Sequence, residues 1–203
     1  MNPRTNTRTR TPRTPPATPG RPPSPVRASV VLIDGRSGSG KTELAAALVR
    51  VWPSAQLVRL DSVYPGWGGL DAGSRAVSDE ILLAHRWRRW DWAAGTFADE
   101  PAHTLDPSHP LIIEGCGALT AASRRLATLA LWVELDAPRR KQRALERDGE
   151  MYVPHWDEWA AQEDAIIERE HPQELADVII DGLHAARDAV RWRRLAEAAS
   201  MGE

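Results

Sequence analysis

Apolar residues fall in five short runs separated by longer amphipathic stretches. The runs cover residues 29–34, 56–60, 111–114, 129–135 and 176–181. Each is too short for a helix core and is rich in Val, Ile and Leu, so each reads as a buried strand. The stretches between them carry Ala, Leu and charged residues at helical spacing. They predict helices over 43–51, 74 to about 92, 119–127, 138–147, 155–169 and 183–199. In the second of these, Ile81, Leu82 and His85 share a plausible inner face. Pro138 stands at a helix start, where its missing N–H costs nothing. Strands alternating with helices predict an α/β fold, a five-stranded parallel sheet with helices on both faces.

The first strand runs directly into Gly35-Arg36-Ser37-Gly38-Ser39-Gly40-Lys41-Thr42. That segment satisfies G-x-x-x-x-G-K-[ST] at every fixed position, between a strand and a helix as the motif requires. The glycines let successive backbone N–H groups turn inward onto phosphate oxygens, and the helix start adds its own free N–H groups. Lys41 would reach the β- and γ-phosphates, and Thr42 would offer its hydroxyl to Mg²⁺. Lys41 is one of only two lysines among 26 basic residues. A nucleotide site on Gly35, Ser37, Gly38, Ser39, Gly40, Lys41 and Thr42 follows, with ATP and Mg²⁺ as the expected ligands.

Composition narrows the picture. Residues 1–27 hold six arginines, no acid and almost no apolar side chain, whereas the remainder holds 20 basic and 28 acidic residues. The first segment cannot offset its chain entropy by burial and is expected to be a disordered Pro/Thr/Arg-rich tail. Residues 28–203 are expected to form one domain. The tail has no apolar stretch of the kind a secretory signal needs. The acidic body lacks the charge of a nucleic-acid-binding surface. No apolar stretch reaches membrane-spanning length. The single cysteine, Cys116, cannot form an internal disulfide and fits a reducing cytoplasm.

Phosphate loops serve several chemistries. The N-K-x-D guanine-reading motif of GTPases is absent from the sequence. The second apolar run ends in Leu60-Asp61-Ser62-Val63-Tyr64 and the third in Leu111-Ile112-Ile113-Glu114-Gly115. At strand ends beside the loop strand, Asp61 can accept a proton from an attacking hydroxyl or act as a turn residue, and Glu114 can hold Mg²⁺ or orient substrate. Arg143 and Arg147 are one helical turn apart, a pair that transferring phosphate would bring to use, or else surface charges paired with nearby acids.

Taken together, G-R-S-G-S-G-K-T, L-D-S-V-Y, L-I-I-E-G and R-A-L-E-R-D resemble the uridine kinase family, in particular its small ATP-binding members from high-GC bacteria. The resemblance spans roughly residues 29–182. It implies a P-loop NTPase fold of the nucleoside/nucleotide kinase kind and phosphoryl transfer from ATP to a small molecule, with a nucleoside as leading acceptor. It also implies that Asp61 is the base, that Thr42 and Glu114 serve Mg²⁺, and that Arg143 and Arg147 close over the phosphates. Tyr64 is implied in the acceptor pocket and Asp181 near the adenine. R-x-x-x-R-D-G resembles dephospho-coenzyme A kinase as well, so a nucleotide or dephospho-coenzyme A stays an alternative acceptor, and a non-catalytic ATP-binding protein a third reading. The segment around Trp90 and Asp91 occupies the place of the family's longer substrate insert. Its tryptophans either stack on a ring of the acceptor or belong to the core.

Overall fold

A computed structural model describes residues 28–201; the expected tail lies outside them. Strands β1 (Val30–Asp34), β2 (Gln56–Arg59), β3 (Leu111–Glu114), β4 (Leu129–Glu134) and β5 (Val178–Asp181) form one sheet, ordered β2-β3-β1-β4-β5. Every pairing in it is parallel. The register aligns the carboxyl ends: Arg59 lies opposite Glu114, Glu114 opposite Ile33, Asp34 opposite Trp132 and Glu134 opposite Asp181. The chain leaves β1 toward one side for β2 and β3 and returns past it to β4 and β5. The crevice outside these strand ends is therefore the topological switch point where such sheets bind ligands.

Alternation along the strands splits the core between two faces. Leu32, Val58, Ile113 and Ala130 pack under one layer with α2 (Leu70–Ala76) and α5 (Trp156–Glu170). Val31, Ile33, Ile112, Leu131 and Val133 face α1 (Lys41–Val51) and the C-terminal helix Ala189–Met201. Both sheet faces are covered, as the continuous apolar strands require.

The expected helix from 74 to about 92 does not form as one element. Helix α2 passes into a π-helical turn over Val77–Leu82, then stops. His85 has φ 51°, which no right-handed helix accommodates, and it is exposed rather than on an inner face. Two short antiparallel ladders follow, Arg86–Trp87 with His103–Thr104 and Trp90–Asp91 with Thr96–Phe97. Aromatic residues favour such pleated, half-buried surfaces. Gly95, at φ 65°, supplies the turn of the second ladder. The other helices lie close to expectation, with α4 at Ala137–Asp148 and a shorter α3 at Ala121–Arg124, which Thr120 caps. Among the described residues no helix is long and apolar enough to cross a membrane.

Candidate active site

Helix α1 begins at Lys41, so the first N–H groups of that helix have no intrahelical acceptor and face the loop's concavity. Two glycines make the curl compatible with its surroundings. Gly38 has φ 79°, and a Cβ there would lie 2.1 Å from the Arg140 carbonyl of α4. A Cβ on Gly182, past β5, would lie 2.0 Å from the Ser39 carbonyl. The loop is thus clasped by α4 on one side and the β5 turn on the other. Arg140 adds to the clasp: it is buried, and its guanidinium donates to the carbonyls of Leu135 (3.0 Å) and Ser37 (3.4 Å).

Asp34, the last residue of β1, is buried and accepts three backbone N–H bonds, from Gly35 (2.6 Å), Gly117 (3.0 Å) and Leu119 (2.8 Å). It pins the loop to the segment after β3. Burial pushes its carboxyl up to about 6, against the pull of those N–H groups and of Lys41. Lys41 is itself buried, and its Nζ donates to the Arg36 carbonyl at 3.0 Å. Burial works against its charge, but the carboxylates of Glu114, Glu163 and Asp34 help to outweigh that, and its pKa lies above the ordinary lysine value. Burial also holds the Cys116 thiol far above its usual range, so Cys116 is a neutral donor rather than a nucleophile.

Thr42 Oγ1 donates to Glu114 Oε1 at 3.3 Å. Glu114 is buried, which raises its pKa; Lys41, Arg59 and Thr42 oppose that, and Asp61 adds to it. Among the described residues no three His, Cys, Asp or Glu side chains cluster as a metal cage. A hydroxyl and a carboxylate are the hard oxygen donors that suit Mg²⁺, an ion that completes its shell with water and substrate phosphates. The donor set fits it.

Two cavities open here. One, of about 330 Å³, is lined by Gly38, Gly40, Lys41, Thr42, Arg143 and Arg147, among others. The other, of about 500 Å³, is lined by Asp61, Arg59, Tyr64, Trp67, Trp92 and Trp159 together with Ser37, Tyr152 and Met151. Thr42 and Arg147 line both cavities, so they stand where the two meet.

Most of the site residues expected from the sequence assemble around these cavities. Asp61 lies on a 3-10 turn directly after β2 and is exposed to the larger one; its carboxylate makes no hydrogen bond or ion pair among the described residues. Arg143 does not stand against its neighbour alone: its guanidinium pairs with Glu43 at 3.1 Å and reaches the Gly182 carbonyl at 3.5 Å. Tyr64 is buried and donates its hydroxyl to the Cys116 carbonyl (2.8 Å), so only its ring serves the cavity.

Three expected residues are placed differently. Trp90 packs edge-on against Phe97 and Asp91 accepts the Ala93 and Ala94 N–H groups of its turn; neither lines the large cavity. Asp181 accepts the Leu183 N–H (2.9 Å) and faces His184, closing the turn after β5. The aromatic wall comes instead from Trp67, stacked on His155 (4.4 Å) and Tyr152 (5.4 Å) and tilted against Trp92 (4.8 Å). Trp92 is further fixed by its indole N–H, which donates to the Asp61 carbonyl at 2.7 Å. Arg59 and Trp67 carry no motif. Arg59 could have been noticed as the strand-end neighbour of Asp61, and Trp67 as a tryptophan between glycines just past Tyr64.

No family model matches the chain, and no curated protein matches it. Solved structures do. A protein described as a possible uridine kinase from Bacillus stearothermophilus superposes with a TM-score of 0.52 at 21% identity, covering 76% of this chain and 89% of its own. A protein described as a sugar kinase from Janibacter sp. HTCC2649 gives 0.52 at 16% identity, covering 85% and 98%. At these identities the likeness establishes the fold, an α/β P-loop fold of the kind found in small-molecule kinases.

Proposed function

We propose that this protein transfers the γ-phosphoryl group of ATP to a hydroxyl of a small-molecule acceptor, most simply a nucleoside. The observation that carries this reading is the pair of cavities joined at Thr42 and Arg147, one built for phosphates and the other walled by aromatic rings with Asp61 at its edge. A pure nucleotide binder has no use for a second cavity at the γ-phosphate end, nor for a carboxylate there.

In this reading the loop N–H groups and Lys41 hold the β- and γ-phosphates. Thr42 and Glu114 would hold Mg²⁺, which when bound neutralises phosphate charge. Trp67 and Trp92 receive a planar ring of the acceptor, a sequence-tolerant contact because any ring has a π-face. Asp61 takes the proton from the acceptor hydroxyl as it attacks phosphorus. Arg147, at the junction, faces the charge that builds on the β–γ bridging oxygen as its bond to phosphorus breaks and ADP leaves, and Arg143 steadies the phosphates from the neighbouring turn. The chemistry belongs to the cytoplasm, where ATP is available.

One observation favours a second acceptor class. Arg59 lines the acceptor cavity half-exposed, and its nearest acid, Glu114, is 3.8 Å away. A guanidinium so placed suits an acceptor with its own phosphate, as in a nucleoside monophosphate or dephospho-coenzyme A. A screen of nucleosides, nucleotides and pantetheine compounds, following ADP release and the phosphorylated product, tests both. Turnover with a nucleoside supports the first class, and turnover only with phosphorylated acceptors supports the second. ATP binding without transfer to any acceptor would overturn the kinase reading.

A further inference from the structure

Glu163 is buried at 3% exposure on α5, beside a loop whose task is to hold anions. A carboxylate in that position repels phosphate and loses its own hydration, so its presence calls for a compensating role. Its Oε1 accepts the backbone N–H of Ser37 at 2.8 Å and the Cys116 thiol at 3.2 Å. Its Oε2 lies 4.0 Å from the Arg36 guanidinium, which also pairs with the next residue, Asp164. Ser37 is the third residue of the phosphate loop and also lines the acceptor cavity.

The same helix grips the acceptor wall. Gln162 donates to the Trp67 carbonyl (2.8 Å) and accepts from the Leu70 N–H (3.3 Å), and Trp159, one turn earlier, lines the cavity. Three successive side chains, Gln162, Glu163 and Asp164, thus tie one rigid helix to the aromatic wall and to the phosphate loop. Their separation from the loop in sequence, 126 positions from Ser37 to Glu163, hides this from any motif.

We propose that Glu163 is a positioning residue: through the Ser37 amide it sets the phosphate loop in register with the acceptor wall carried by the same helix. The role belongs to the hydrogen-bond acceptor at that reach and not to the negative charge. This rests on reading the loop as the nucleotide site, and the test separates the two.

Two substitutions cross reach against charge. Glu163→Gln keeps a carbonyl oxygen at the same distance and removes the charge. Glu163→Asp keeps the charge and withdraws the oxygen by one methylene. Affinity for ADP and ATP would be measured by titration on the full chain, together with hydrogen exchange at the Ser37 amide. Glu163→Gln should bind nucleotide within about threefold of wild type and keep Ser37 protected. Glu163→Asp should bind about tenfold more weakly, the worth of one hydrogen bond to a buried backbone donor, and lose that protection. Glu163→Ala should match Glu163→Asp wherever it folds. If Glu163→Asp behaves as wild type, or if Glu163→Gln is as impaired as Glu163→Asp, the proposal is wrong. A wild-type protein without nucleotide affinity would refute the loop reading, and Ser37 exchange in Glu163→Asp would still decide the role of Glu163.

Discussion

Asp34 provides a pH test of the scaffold that holds the phosphate loop. Its carboxyl is fully buried and pushed from an ordinary 3.8 up to about 6 in the folded protein. Between those values the native state keeps a proton that the unfolded chain releases, so stability falls as pH rises through the window. Below pH 3.8 the group is protonated in both states and carries no penalty. Above about 6 it is ionised in both, and the full penalty is present. A shift of this size corresponds to roughly 3 kcal/mol, at 1.36 kcal/mol per unit. Asp34→Asn cannot ionise and should lack this dependence. It also loses an acceptor: one amide oxygen can serve Gly35 and Gly117, but the amide nitrogen then faces the Leu119 N–H. The substitution should therefore be destabilising at low pH by a few kcal/mol, in line with an unmet buried donor. The stability gap between wild type and variant should then narrow by up to roughly 3 kcal/mol on moving from pH 4 to pH 7.5. Urea unfolding followed by tryptophan fluorescence at both pH values measures the gap. A gap of the same size at both would show that Asp34 is not perturbed, and the reasoning about its burial would fail.

Three further substitutions test the site. Lys41→Ala should abolish nucleotide binding or turnover in a folded protein, read by titration and circular dichroism, because the buried ammonium is a positive charge in the phosphate cavity. Arg147→Ala should lower the maximal rate much more than it weakens ATP binding, since arginines that meet transition-state charge are worth ~10³–10⁵ in rate; a loss confined to affinity would move Arg147 to a ground-state role. Trp67→Ala should raise the acceptor KM about tenfold, an aromatic contact being worth ~0.5–1.5 kcal/mol beyond its area, while ATP affinity stays within about twofold. Equal losses for both substrates would make Trp67 a core residue.

The strands and the loop were legible because each is encoded locally. The stretch 30–33 is apolar throughout, and the spacing from Gly35 to Thr42 has one structural solution between a strand and a helix. Glu114 could be placed because a strand end beside the loop strand faces the crevice; the strand before Asp61, expected beside the loop strand as well, lies instead at the sheet edge, paired with β3, and Asp61 reaches the crevice from one strand further out. The segment after Leu82 misled because Ile81, Leu82 and His85 read as one helical face, when the tryptophan-rich pattern beyond them also suits short ladders. The decision lies in His85 at positive φ and in pairing with His103–Thr104, which no nearby residue announces. The aromatic wall and the grip of Glu163 on Ser37 were illegible because they join residues far apart in sequence. Only the packing of α5 against the sheet brings Trp159 to Tyr64 and Glu163 to the loop.

The central claim is that a phosphoryl group passes from the loop cavity to a hydroxyl held in the aromatic cavity, and that Asp61 takes the proton. The most direct measurement compares wild type with Asp61→Asn, reading ATP affinity and single-turnover transfer to the best acceptor side by side. Asp61→Asn should bind ATP as wild type does and transfer phosphate ~10²–10⁴ times more slowly, the usual worth of a positioned general base. A variant that transfers as fast as wild type would make Asp61 a turn residue and contradict the account.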